Sequence, residues 1–156
     1  LINITAYPTE QLEAKGKSIR YIFESVGNKS IIKQIEYSYF GNILGSNVYN
    51  LGFGDYNAAQ DTISDKANSN NGDMRKVFNT VLSTVPKFFE AYKSASIWVT
   101  GSDEKRTKIY CYYVDRNFEQ LYDDYLFYGY LKDAKPNLVP YTPNIAYNGI
   151  LVFKKN

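Results

Sequence analysis

The chain has 156 residues, a one-domain length, and a net charge of +2, too mild to support nucleic-acid binding on electrostatics alone. It contains no histidine and one cysteine, Cys111. This excludes Ser-His-Asp and Cys-His nucleophile systems, the usual histidine metal ligands and an internal disulfide. No apolar run approaches the ~18 residues of a membrane-spanning helix, and no charged-then-apolar leader stands ahead of the first strand pattern. A reducing, cytoplasmic setting without membrane, metal or cofactor is therefore expected.

The first 17 residues alternate weakly at Ile2 and Ile4 and then carry Tyr7-Pro8, which suits a short edge strand or arm. From Ser18 to Val26 the period is two: Ile19, Tyr21 and Phe23 share one face, opposed by Arg20, Ile22 and Glu24. Gly27-Asn28-Lys29 signals a turn, and a second strand runs from Ser30 to Phe40 with Ile35, Tyr37 and Tyr39 together. A third strand, Asn47 to Phe53, completes an N-terminal antiparallel meander. Residues 55–71 are polar and read as a long loop, with a short strand around Ile63.

A helix of about 20 residues is predicted to start at Asp73, whose carboxylate suits an N-cap. Val77, Val81, Leu82, Val85, Phe88, Phe89 and Tyr92 recur at helical spacing, and Pro86 inside the run predicts a kink or a break. Ser96 to Thr100 forms a short strand carrying Trp98. A second helix is expected from Asp103 to about Val114, capped by Ser102 and with Ile109 and Tyr113 inward, then a short third helix from Asn117 to Asp124. Leu126 to Leu131 is a strand, the proline-rich 133–144 is an extended loop, and Ala146 to Lys154 is the last strand. The fold class is α+β: an antiparallel sheet, built from the meander plus later strands, packed against one long helix and one or two shorter ones in a single domain over 1–156.

The segment Thr100 to Thr107 joins a strand to a helix start through Gly101, with Ser102, Arg106 and Thr107 beside free amides. Such a corner can hold a phosphate or carboxylate, although Asp103 and Glu104 would compete with it. An ordinary capped helix with a surface arginine accounts for the same residues. Arg106 and Tyr110 are four apart and share a helix face, as a structural pair or as a clamp on a planar ligand. Asn71 and Asp73, and Asp55 after Gly52 and Gly54, form a second polar corner; a turn and an N-cap are the plainer account. Cys111, among aromatics, reads as packing. The 16 Tyr, 9 Phe and one Trp suit sheet faces, yet Tyr110, Tyr112, Tyr113, Tyr122, Tyr125, Tyr128 and Tyr130 are too many to bury completely, and some are expected at an interface such as a homodimer.

The order Tyr49-x-Leu51-x-Phe53-Gly54-Asp55, Asn70-Asn71-Gly72-Asp73-x-x-Lys76-Val77, Thr80-Val81, Gly101-Ser102 and Arg106-Thr107-x-x-Tyr110 resembles a family of uncharacterised bacterial proteins of about this length, a domain of unknown function. The likeness runs from about Ile19 to Tyr130, and Pro86 and Lys108 depart from its pattern. It implies a grouping and no activity. Three functions stay open. The chain is a non-catalytic binding or interaction domain of a bacterial accessory or defence system, a nucleic-acid- or nucleotide-directed enzyme or toxin using Arg106, Tyr110 and a carboxylate, or a sensor of an anionic small molecule. The aromatic surplus and the lack of a compact catalytic motif favour the first.

Overall fold

Among the described residues, alternating apolar residues build nine strands and two runs at helical spacing build two helices, so the α+β class stands. The computed structural model describes residues 5–43, 45–64, 71–133 and 135–156. Ile2, Ile4 and Asn70, singled out in the sequence, lie outside those residues. In chain order the elements are β1 (Glu10–Gln11), β2 (Ser18–Val26), β3 (Ser30–Ile43), β4 (Ser46–Asn57), β5 (Thr62–Ser64), α1 (Met74–Ala91), β6 (Ser96–Val99), α2 (Glu104–Leu121), β7 (Tyr125–Leu131), β8 (Asn137–Pro140) and β9 (Gly149–Lys154). The pairing is mostly antiparallel; β4 and β6 run parallel. β2, β3 and β4 are consecutive hydrogen-bonded neighbours, the meander expected from the sequence.

The chain divides into two compact units. The N-terminal unit holds the described residues up to Ser38 together with those of Gly52–Ala91. Its core follows from the alternation: Tyr21 and Phe23 of β2 and Ile35 and Tyr37 of β3 are buried with Val77, Val81, Val85 and Phe88 of α1. Tyr37 stacks on Phe88 at 4.6 Å between ring centres, and its hydroxyl meets Thr84 Oγ1 at 2.7 Å, so the one polar atom of a fully buried ring is satisfied. α1 is not broken at Pro86. The ring projects from the exposed face, where the missing N–H disturbs no packing.

The C-terminal unit comprises residues 39–51 and 92–156. Its strands are ordered β4-β6-β9-β7-β8. One row of cross-strand partners, Tyr49, Ile97, Val152 and Phe127, points to the face carrying α2. There Phe118 of α2 stands 5.6 Å from Phe127 and 5.5 Å from Tyr141, and Tyr141 donates to Asp115 at 2.5 Å.

Several expectations are corrected here. The second and third helices are one helix, α2, because half-buried Phe118 and Leu121 continue the stripe of Thr107, Cys111 and Val114 beyond the polar Asp115-Arg116-Asn117 stretch; Thr107, Cys111 and Val114, rather than Ile109 and Tyr113, are its buried residues. Asn117 donates to the Tyr113 carbonyl one turn back at 2.8 Å, so it stays within the helix. The cap of α2 is Asp103, not Ser102: the Asp103 carboxylate accepts the Arg106 amide at 2.8 Å. Finally, the loop 133–144 contains β8, a short strand paired with β7 and ended by Pro140. β4 also extends beyond the expected Phe53 to Asn57, shortening the polar loop that follows.

Candidate functional site

The polar corner of the N-terminal unit is built around two chain crossings. Gly27 in the β2–β3 turn lies so close to Asn71 that a Cβ there would sit 1.8 Å from the Asn71 carbonyl oxygen. That contact lets Asn71 reach under the turn. Its Nδ2 donates to Ser25 Oγ at 3.0 Å and the Lys29 carbonyl at 2.8 Å, while its Oδ1 accepts the Lys29 amide at 2.7 Å. Asp73 follows, with its carbonyl accepting the first helical bond from Val77 and its carboxylate taking the hydroxyls of Tyr7 at 2.6 Å and Ser25 at 2.5 Å. Burial alone would raise the Asp73 pKa, but the Ser25 and Tyr7 hydroxyls outweigh it and hold the carboxyl below its ordinary value. Asp55 receives Lys33 Nζ at 2.6 Å, a pair whose side chains are only 9% and 16% exposed. Asn71, Asp73 and Asp55 thus make bonds that tie the hairpin to the start of α1 and neutralise a buried lysine. Among the described residues, no three of His, Cys, Asp and Glu gather to hold a metal ion.

The other predicted corner belongs to the C-terminal unit. Gly101 is required by contact: a Cβ would come within 2.6 Å of Arg106 Cβ and of the Thr107 amide. The Gly101 amide donates to Thr107 Oγ1 at 2.9 Å, and that hydroxyl donates to the Asp103 carbonyl at 3.0 Å. Asp103 therefore supplies a negative charge at the start of α2, as one of the two carboxylates that compete there with an external anion. Ser102 is exposed, and Arg106 and Tyr110 are half-buried. Burial pushes the Tyr110 phenol up, opposed by Arg106 and reinforced by Asp103. The seven residues singled out in the sequence are shared between the units: Asp55, Asn71 and Asp73 in one, Ser102, Arg106, Thr107 and Tyr110 in the other.

The most open chemistry in the C-terminal unit is apolar. Successive residues of a strand point to opposite faces and direct cross-strand partners share one. The row Val48, Ser96, Phe153 and Leu126 therefore lies on the face opposite α2, as does the row Trp98, Leu151 and Tyr128. Tyr130 pairs with Leu138 beyond them. These rows, with Phe40 and Ile43 at the end of β3, line a trough of about 790 Å³. Its floor is closed, with Ser96 0% and Val48 2% exposed, while Phe40, Ile43, Leu126 and Leu138 stand open to solvent at 62%, 46%, 43% and 44%. The volume falls in the roughly 300–1,000 Å³ range of ligand sites.

A second hollow of about 330 Å³ adjoins it, lined by Thr100, Asp103, Glu104, Lys108, Lys132 and Asn148 among others. Trp98 and Tyr130 line both hollows. Their rings meet edge-on at 5.6 Å, and Trp98 lies flat over Gly149, where a Cβ would come within 2.3 Å of the indole. Asn148 shapes the smaller hollow. It accepts the Lys132 amide on its side chain at 2.7 Å, donates its own amide to the Tyr130 carbonyl at 2.8 Å, and takes the Thr100 hydroxyl on its carbonyl at 3.2 Å.

Of the tyrosines judged hard to bury, Tyr128 and Tyr130 line the trough. Trp98, Leu151, Phe153, Leu126 and Leu138 were not singled out. The available signal was the run Leu126 to Leu131 and the run Ile150 to Phe153, each apolar on both faces, in a chain with too few helices to cover both.

No helix among the described residues is long and apolar enough to cross a membrane. No curated protein and no solved structure matches the chain. A family model does match, over residues 3–155, nearly the whole length, and the chain belongs to that family, a family of unknown function (DUF6934).

Proposed function

We propose that this chain is a non-catalytic binding domain whose binding surface is the trough of the C-terminal unit. The single observation that carries the reading is the half-open aromatic sheet face of about 790 Å³, closed at Val48 and Ser96 and open at Phe40, Ile43, Leu126 and Leu138. Exposed apolar faces of this size are unfavourable in water and are kept where something covers them in use. The polar residues that suggested catalysis support the same reading from the other side. Asp73 and Asn71 bond to the β2–β3 hairpin, Asp55 to Lys33, and Thr107 to the Asp103 turn. A binding role in a bacterial accessory or defence system fits a domain of this kind.

The test uses a neutral, environment-sensitive dye such as Nile red, which reads apolar surface without charge. The native chain is expected to bind it with a blue-shifted emission, and the double variant Leu126→Ser, Leu138→Ser to lose the signal while its far-UV spectrum and unfolding midpoint stay close to those of the parent. Equal dye binding by parent and variant, or no binding by either, would remove the trough as the binding surface.

A further inference from the structure

The geometry points to a second copy of this chain as the partner that covers the trough: two chains meet face to face about a two-fold axis, and Phe40 of each enters the trough of the other. This rests on the trough reading above and adds the partner. All the residues it uses lie in the C-terminal unit. The first feature that selects a second copy is shape. Phe40, on the β3 side of the trough, is 62% exposed and stands out from the same face that sinks to a closed floor at Val48 and Ser96. A two-fold contact brings a surface patch against its own copy, so the patch must be complementary to itself. A projecting ring beside an apolar hollow meets that condition.

The second feature is area. An aromatic side chain carries roughly 150–250 Å², so Phe40 alone offers about 90–150 Å² to a partner. With the open Ile43, Leu126 and Leu138 and the half-buried side chains between them, the face presents about 400–700 Å² of apolar surface. A standard interface buries about 800 Å² on each partner, and about 65% of a homodimer interface is apolar, which is about 500 Å². The face supplies that amount. A small ligand seated on the floor would leave Phe40 and Ile43 in water, whereas a second chain covers them. The third feature is charge. Lys154 is the one charged residue lining the trough, and the Asp124 carboxylate lies 4.0 Å from its ammonium. Two identical faces repel when they carry unbalanced charge, and this one brings none to the contact. Few charges among Phe, Tyr and Trp is the composition of an interface core.

The test follows the native chain by sedimentation velocity from sub-micromolar to several hundred micromolar concentration. A monomer is expected at the dilute end and a dimer at the concentrated end. Trp98, the single tryptophan, lines the trough, so its emission should shift to the blue along the same curve, and Nile red bound per chain should fall along it. Phe40→Ser, at an exposed position, should weaken the dimer at least tenfold while the far-UV spectrum and unfolding midpoint stay close to those of the parent. The Leu126→Ser, Leu138→Ser variant should weaken it as well, through different side chains. A parent that is monomeric at the highest concentration would overturn the second copy; the trough reading would survive if the dilute chain binds Nile red and would fall with it if the dilute chain does not. A dimer that withstands both variants and takes up as much dye as the monomer would place the contact elsewhere and overturn the proposal. A monomer that co-sediments with phospholipid vesicles would overturn it in favour of a lipid surface, and one that binds decanol in a saturable way would overturn it in favour of a small apolar ligand.

Discussion

The two units of this chain treat their distinctive side chains in opposite ways. In the N-terminal unit the polar residues that read as chemistry, Asp55, Asn71 and Asp73, are committed inward, to Lys33, to the β2–β3 turn and to the Tyr7 and Ser25 hydroxyls. In the C-terminal unit the apolar residues that read as packing, Leu126, Leu138 and the Trp98 row, face outward across a trough. A carboxylate is a candidate for chemistry only while its bonds are unmade, and a leucine contributes to a core only when something covers it. The sequence reports identity and spacing, and neither of these conditions is visible in it.

The contrast can be broken by mutation, and the largest effect is expected at Lys33–Asp55. Asp55→Asn takes away the carboxylate 2.6 Å from a nearly buried ammonium, and the loss of an ion-pair partner in such a place costs about 3–5 kcal/mol. Urea unfolding would measure it, and a cost near zero would mean that the pair is open to solvent and available for chemistry. Asp73→Asn comes next, at about 2 kcal/mol near neutral pH, since hydrogen bonds to a charged group carry more than neutral ones. Its pH dependence has a definite sign. The folded pKa lies below the unfolded value, so the stabilisation is present above about pH 4 and is lost as the pH falls through the folded pKa. The difference between parent and variant should therefore shrink on acidification. A difference that grew instead would contradict the hydroxyl clamp.

In the other unit the order of effects reverses. Leu138→Ser, at an exposed position on a short strand, should change stability by no more than about 0.5 kcal/mol yet weaken Nile red binding. The smallest effect is expected for Arg106→Ala. Only the Arg106 backbone amide serves the cap, so stability should move by less than about 0.5 kcal/mol and dye binding should be unchanged. An Arg106→Ala variant that abolished binding would return the helix start to the centre of the function.

Much of the architecture was legible because local patterns and the fold agree. Tyr21 and Phe23, then Ile35 and Tyr37, alternate as they pack, and α1 follows Val77, Val81, Val85 and Phe88. The errors fell where a local signal had two readings. Ser102 and Asp103 are both good caps, and their neighbouring geometry chose Asp103. The polar Asp115-Arg116-Asn117 looked like an interruption, yet it occupies half-buried and exposed positions of a helix whose inward stripe continues at half-buried Phe118 and Leu121. Pro136 and Pro140 suggested only loop, although Pro140 can end a strand that pairs on one side. The trough lay furthest from view: that Leu151 and Phe153 face the side opposite α2 depends on strand register and on where α2 packs, both tertiary facts.

The most direct measurement of the trough is contact quenching of Trp98 by 10-bromodecanoate, whose heavy atom must reach the indole to act. The parent chain should be quenched in a saturable way, and a Leu151→Asp variant, with a charge placed between Trp98 and Tyr128, should be left bright. Saturable quenching of equal depth in both proteins, or none in the parent, would show that apolar ligands do not enter between these strands.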